Sequence, residues 1–388
     1  MLAAESQVEW RPETTEELRA LVEANAQGER RRILPVGGGS ALPAIPQCVK
    51  LHTSGLQRVV DYPHRDMTIT VEAGIRLSQL AEILAEQGQR LPIEVPHPDR
   101  TSIGGAIACN VSGPSRFGHG TLRDYVIGMT AVDGRGRTFS AGGRVVKNVA
   151  GYDLCKLMIG SEGALAILTQ VTLKVKPLPA ARSLVVASFD RCEEVEPVLE
   201  MLNNSQTRPV VFDVLNPLAN GAQSYQLLVG YEGSDAEVRW QSETLRQELS
   251  ASAAQDVEIL SQDAAIARWN SLIAFPNHRG ESHLLVASML PSDAARFLCM
   301  LDSWPVQMHA GNGTLMIRLP KSHESLSQIR ELRQKVEAED GMLVVSNPEA
   351  GWSLVDRIGT LPPSWRLVQQ IKAVLDPAGL LSPGWFDA

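Results

Sequence analysis

The run Pro35-Val36-Gly37-Gly38-Gly39-Ser40 constrains this chain more than any other feature. It closes Arg32–Val36, a short apolar stretch that reads as a buried strand. Three consecutive glycines end that strand and leave backbone N–H groups with no Cβ in front of them. Such a loop either turns the chain sharply or lets the backbone close on an anion such as a pyrophosphate. Two familiar phosphate loops are excluded. Gly-Lys-Ser/Thr occurs nowhere in the chain, and the spacing G-x-G-x-x-G is absent.

The surrounding residues alternate helix and strand. Thr14 and Glu17 have capping-box spacing ahead of Leu18, Leu21 and Val22, so a helix is expected up to Gly28. Ile69, Val71 and Ala73 alternate with polar residues, as in a strand. Leu77, Leu80, Ala81 and Leu84 follow with amphipathic helix spacing, ending at Gly88. Residues 92–125, rich in proline and glycine, read as a long functional loop. Its centre, Thr101–Gly120, combines small residues that admit a flat ligand with hydroxyls and an amide that orient one. A structural Ω-loop is the plainer reading of the same segment. There Arg116 and His119 read as solvated or packing residues. Val126–Ser140 reads as a hairpin turning at Asp133-Gly134. A third segment, Gly142–Pro177, holds a polar island (Asn148, Gly151, Tyr152, Asp153) and then Gly160-Ser161-Glu162-Gly163 before a strand.

Composition narrows the classes. Of 388 residues, 36 are basic and 44 acidic, for a formal charge of −8, and no basic block stands out. That argues against counterion-driven nucleic-acid binding. No apolar run approaches the ~20 residues of a membrane-spanning helix, and the N-terminus lacks the pattern of a secretory signal. The five cysteines (Cys48, Cys109, Cys155, Cys192, Cys299) are scattered and include no C-x-x-C. They read as the thiols of a reducing compartment and as no metal or cluster site. H-E-x-x-H and G-x-S-x-G are both absent.

Pro177 and Pro179 mark a boundary. Beyond it, short strands alternate with one helix per pair, which suggests an antiparallel sheet covered by helices on one face. Helices are expected near Glu237–Leu249, Ala264–Leu272 and Ala294–Leu301, and a turn at Gly311–Gly313. The chain ends with a helix at Trp365–Leu375, then Asp376-Pro377-Ala378-Gly379 and Ser382-Pro383-Gly384.

In order and spacing, the three glycine-bearing segments and this ending resemble the FAD-binding family of the vanillyl-alcohol oxidase or PCMH type. Pro35–Ser40 matches that family's pyrophosphate loop, SIGGAIACN its second flavin segment, GYDL with GSEGALAILT its third, and DPAGLLSPG its terminal turn. Within the family the resemblance is closest to the FAD-binding (GlcE-type) subunits of bacterial glycolate oxidases, through PIEVPH, GGRVVKNVAGYDLCKLMIGSEGALAILT and DPAGLLSPGWF. The implied fold is α+β: a two-part FAD-binding domain (residues 1–180), an antiparallel cap domain with helices on one face (181–355), and a C-terminal segment packing back on the FAD domain (356–388). Cofactor contacts carry over onto Pro35, Gly37, Gly38, Gly39 and Ser40, then Thr101, Ser102, Gly104, Gly105, Asn110, Gly113 and Gly118, then Glu162, Gly163 and Ile167. The cofactor is expected to be non-covalent FAD, since Ser40 rather than a histidine follows the glycines.

The resemblance further implies a flavoprotein subunit that takes part in oxidising glycolate to glyoxylate. Its expected partners are a catalytic sister flavoprotein and an iron–sulfur subunit that receives the electrons. Its expected place is the cytoplasm, at the inner face of the membrane through those partners. Relatives that oxidise 2-hydroxy acids carry a second histidine after a His-x-Gly-x-Asn turn, and a later Glu-His-Gly. Here His309-Ala310-Gly311-Asn312-Gly313 leads into Thr314, Leu315, Met316 and Ile317, and the later segment reads Ser346-Asn347-Pro348-Glu349-Ala350-Gly351. A hydroxy acid needs a base for its O–H proton and cations for its carboxylate, so no catalytic residue is assigned from sequence. The alternatives are a self-sufficient FAD-dependent dehydrogenase acting on acids such as D-lactate, an FAD-binding scaffold without a redox role, and a cofactor-free interaction protein.

Overall fold

The computed structural model describes residues 8–39, 47–143, 152–277, 280–349 and 351–384. Ser40, Asn148 and Gly151 lie outside these ranges.

The N-terminal region is built in two parts. In the first, Glu9–Trp10, Val49–His52 and Ile33–Val36 form a small parallel sheet in that order. Helix Thr15–Gln27 packs on it through Leu18 and Val22. Thr14 caps this helix, its hydroxyl accepting from the Glu17 N–H at 3.1 Å, and Gly28 ends it. In the second part, an antiparallel sheet runs in the order Val59–Asp61, Thr68–Glu72, Ile167–Lys174, Val126–Val132 and Thr138–Gly142. The last two strands are the expected hairpin. Asp133 shapes its turn by accepting from the N–H groups of Arg135 and Arg137, both at 2.9 Å. The segment 92–125 is more ordered than its composition suggests. It contains three short helices, Ile103–Ala108, Arg116–His119 and Leu122–Tyr125.

The cap is one eight-stranded antiparallel sheet. Its order is Val257–Ser261, Ala181–Phe189, Tyr225–Gly233, Val211–Leu215, Val306–His309, Thr314–Pro320, Ser282–Ser288 and Met342–Val345. Successive strand residues point to opposite faces. Val185 and Ala187 therefore lie on the face whose core is shared with helices Val195–Asn203, Asp235–Leu249, Pro291–Leu298 and Ser325–Glu337. Leu184 and Val186 point the other way and meet a fifth helix, Gln262–Ala274, through Trp269 and Leu272. The sequence reading contains neither Ser325–Glu337 nor the edge strand Met342–Val345. Cys192 and Cys299 form a disulfide across 107 residues, which corrects the reading of all five cysteines as free thiols.

The chain then returns to the N-terminal region. Lys372 is buried and donates to the carbonyls of Ala164 and Leu381, each at 2.8 Å, and pairs with Asp376 at 2.6 Å. Asp376 in turn accepts from the N–H groups of Leu380 and Leu381. The Asp-Pro turn is thus pinned so that Leu381 makes an isolated parallel bridge to Ile33. No helix among the described residues is long and apolar enough to cross a membrane.

Candidate active site

The cap-sheet face that carries helix Gln262–Ala274 also looks toward the N-terminal region, and a cavity of about 800 Å³ lies between them. Its first wall is backbone. Gly37, Gly38 and Gly39 follow the Ile33–Val36 strand, and Ser102, Gly104 and Gly105 open the Ile103–Ala108 helix beside them. The two loops press on each other. A Cβ on Gly38 would overlap the Arg100 carbonyl, and one on Gly37 would overlap the Ser102 hydroxyl. Ser102 caps the helix by accepting from the Gly105 N–H at 3.2 Å. On that helix Ile103, Ala106 and Ile107 are buried in the core, while Gly105, Ala108 and Cys109 share the face that lines the cavity. A Cβ on Gly105 would meet the Ser102 hydroxyl at 3.1 Å and the Gly37 Cα at 3.9 Å.

The third segment completes this wall. The Gly160 and Glu162 N–H groups donate to the carbonyls of Ile107 and Ala108. Glu162 has a φ of +53° and pairs with Arg357. Burial pushes its carboxyl up in pKa, and the Arg357 charge opposes that shift. The Ser382 hydroxyl donates to the Glu162 carbonyl at 2.9 Å, so the terminal turn also braces the site.

Of the sequence-expected residues, Pro35, Gly37, Gly38, Gly39, Thr101, Ser102, Gly104, Gly105, Asn110, Glu162, Gly163 and Ile167 line the cavity. Gly113 and Gly118 do not. Gly113 backs onto Glu94, and Gly118 packs against Val210 of the cap, its N–H donating to the Val210 carbonyl at 3.1 Å. At both positions a Cβ would overlap these neighbours.

The second wall is side chain. Leu284, Val286, Met316 and Val344 supply an apolar patch, with His309, Thr314, Ser346 and Asn347 around it. His309 is 3% exposed, and its Nδ1 lies 2.7 Å from Oδ1 of the fully buried Asp213. Arg116, read from sequence as a solvated or packing residue, lines the cavity where this wall meets the first. Burial pushes its pKa down, and the Asp213 charge opposes that. Sequence spacing had no access to the Arg116–Asp213–His309 grouping, because its members come from three distant segments. No cluster of metal-ligating side chains occurs among the described residues.

Buried polar contacts join the two walls. Glu232 of the cap accepts from Arg90 at 2.8 Å and Arg182 at 2.7 Å, and faces His119 Nε2 at 2.7 Å. Burial alone would raise the Glu232 pKa. The His119 and Arg90 hydrogen bonds and the charges of Arg90 and Arg182 outweigh it and bring the value to about 2. Glu94 accepts from Trp269 Nε1 at 2.6 Å and from the Ser115 hydroxyl at 2.7 Å.

A long, partly apolar cavity with a glycine cradle at one end fits a dinucleotide with a flat ring. Lys50 and His52 line the same cavity as the glycines and supply cationic or hydrogen-bonding groups for a diphosphate. The fold and site define an FAD-linked oxidoreductase, and known proteins agree. Residues 7–142 match the FAD binding domain family, and residues 361–385 match the C-terminal domain of FAD linked oxidases. The chain is 31% identical to the glycolate oxidase subunit GlcE of Escherichia coli (strain K12), over 84% of this chain and 83% of that one. It is 27% identical to the mitochondrial D-lactate dehydrogenase [cytochrome] of Arabidopsis thaliana, covering 91% and 68%. It is 29% identical to a D-2-hydroxyglutarate dehydrogenase of Xanthomonas citri, covering 96% and 87%. An alkyldihydroxyacetonephosphate synthase structure superposes with a TM-score of 0.72 at 18% identity, covering 97% and 75%, which shows the shared fold. The chain belongs to the family of GlcE-type glycolate oxidase subunits, within the PCMH-type FAD-binding proteins.

Proposed function

We propose that this chain is the FAD-carrying subunit of a multi-subunit oxidase that converts a 2-hydroxy acid, glycolate first, into the 2-oxo acid. The observation that carries the reading is the 31% identity to GlcE across 83% of that subunit. FAD, when bound, accepts the carbon-bound hydrogen and the two electrons that leave the alcohol carbon. The chain's own residues do the rest. Gly37, Gly38, Gly39 and Gly105 let backbone approach the cofactor, Ser102 and Thr101 orient it, and the cap sheet covers it and keeps water out. The FAD is held without a covalent bond. In this reading residues 1–180 are the FAD domain, 181–355 the cap and 356–388 a brace that returns to the FAD domain. The partners are a sister flavoprotein, which agrees with GlcD being the name of another subunit of glycolate oxidase among the relatives, and an iron–sulfur protein that takes the electrons onward.

The test is the absorption spectrum of the purified full chain, with and without glycolate and the partner subunits. A yellow chain whose colour is released by acid supports the reading. A colourless chain that cannot be loaded with FAD overturns it.

A further inference from the structure

The cap sheet has two edge strands, Met342–Val345 and Val257–Ser261, and they are finished differently. The first is guarded. The Ser346 N–H donates to the Leu284 carbonyl, so by strand alternation Val344 and Met342 also turn their backbone toward the neighbouring strand, and Leu343 turns outward. The outward Leu343 carbonyl accepts from Arg333 Nε at 3.2 Å, and helix Leu354–Ile358 packs against the strand.

The second edge is open. The Ser188 N–H donates to the Asp256 carbonyl at 3.0 Å. By the same alternation Val186 and Leu184 turn their backbone toward Val257–Ser261, and their partners Glu258 and Leu260 turn inward to meet them. Val257, Ile259 and Ser261 therefore turn outward. Among the described residues nothing hydrogen-bonds the outward N–H and C=O groups of Val257 and Ile259. None of the five edge residues is buried, whereas residues 183–187 beside them all are. Neither a proline nor a lysine blocks the edge.

Unpaired strand backbone specifies the chemistry of its partner, which is another extended strand. The side chains say which one. Val257 and Ile259 pack on the core beneath helix Asp235–Leu249, and Leu260 packs on the opposite core, so the partner has to be apolar on both faces. The segment Val257–Ser261 meets that requirement itself. Paired antiparallel about Ile259, two copies set Ile259 opposite Ile259, Val257 opposite Ser261 and Glu258 opposite Leu260. The outward groups of Ile259 then exchange both hydrogen bonds, and the Glu258 carboxylates stay apart. A register centred on Glu258 would set like charges opposite each other. Ile266, on the helix that follows the strand directly, is 41% exposed and extends the apolar surface next to the edge.

We propose that Val257–Ser261 is an interface between two copies of the chain, pairing antiparallel with its own equivalent across a two-fold axis so that two cap sheets become one. No residue of this edge lines the flavin cavity, so the pairing stands or falls separately from the functional reading above.

Sedimentation of the purified full chain, with FAD supplied, reads the mass over a dilution series. A dimer is expected, in which the Val257 and Ile259 amides exchange slowly with deuterium and become fast on dilution. Ile259→Lys sets two ammonium groups opposite each other and should raise the dimer dissociation constant at least about tenfold, with flavin content unchanged. Ile259→Thr keeps a β-branched residue without the charge and should stay dimeric, which separates lost pairing from lost folding. Ile259→Cys reads the register. A short bismaleimide should join two copies of that variant, and should join Glu258→Cys far less, with the native chain and its thiols at Cys48, Cys109 and Cys155 treated in parallel. A dimer that Ile259→Lys leaves intact uses another surface and overturns the inference. A chain that stays monomeric throughout overturns it as well, including one whose edge amides become protected only when a different protein is added.

Discussion

The two walls of the cavity are made differently. The FAD-domain wall is backbone: glycines stacked on one another, with side chains removed so that the loops and their ligand can approach. The cap wall is side chain: a sheet face that carries the Asp213–His309 pair and an apolar patch. A wall of backbone fails when anything is added to it. A wall of side chains fails when something is taken away. The same distinction decides which variants should be severe and which readout should move.

The largest effect is expected from Gly38→Val. The new branched side chain would meet the Arg100 carbonyl, which cannot swing aside as a side chain tip would. The first and second loops must part, and the FAD site between them is lost. Purified Gly38→Val should carry essentially no flavin. A folded variant with full flavin would break the assignment of this wall.

Next is the contact that holds the walls together. Glu232→Gln removes the buried charge that Arg90 and Arg182 share, and leaving such cations unpaired typically costs ~3–5 kcal/mol. Acid should act in the same direction. The Glu232 carboxyl is held near 2 in the folded chain, below its ordinary 4.5. Its contribution is therefore complete above about pH 4.5 and is lost as pH falls from there toward 2. Denaturant midpoints should drop over that window in the native chain and drop much less in Glu232→Gln. Equal acid sensitivity in both would remove Glu232 from its place as the clasp.

The backbone wall was legible in the sequence because its information is local. Pro35–Ser40, Ser102–Gly105 and Gly160–Gly163 each announce themselves as glycine punctuation next to a strand or helix. Strand alternation at Ile69–Ala73 and helix spacing at Leu77–Leu84 were equally plain. The side-chain wall was not legible. Asp213 and His309 stand 96 residues apart and meet only because their strands pair. Arg116 reaches them because Phe117 docks beside Gly311, a contact that no spacing rule encodes. The Cys192–Cys299 pair stayed hidden for the same reason. Gly113 and Gly118 pack against Glu94 and Val210, and a glycine required by packing looks the same in sequence as one required by a ligand.

Gly118→Ala separates those two kinds of glycine. Its Cβ would press on the Val210 Cα of the cap at 2.6 Å, so the junction has to shift. Overpacking of this kind costs ~1–3 kcal/mol. Stability should fall while the flavin content of the folded protein stays full, as read by thermal melts alongside absorbance at the flavin band. Loss of flavin at unchanged stability would return Gly118 to the cofactor site.

The smallest change is the most discriminating. Gly105 sits inside the Ile103–Ala108 helix, where alanine is the better helix former by ~0.5–1 kcal/mol. Its added methyl would meet the Ser102 hydroxyl at 3.1 Å, a contact that a rotation of one side chain relieves, and would otherwise stand in the cavity. The apoprotein of Gly105→Ala should therefore be as stable as the native apoprotein or slightly more so. FAD, meeting a methyl where backbone had been open, should bind about tenfold more weakly, or ~1.4 kcal/mol. Stability and affinity thus move in opposite directions at one residue, a result that general damage to the fold cannot produce. If the apoprotein melts as expected and FAD binds with native affinity, then the Gly105 face of the helix does not touch the cofactor, and the ligand must lie nearer to Gly39 and Gly163.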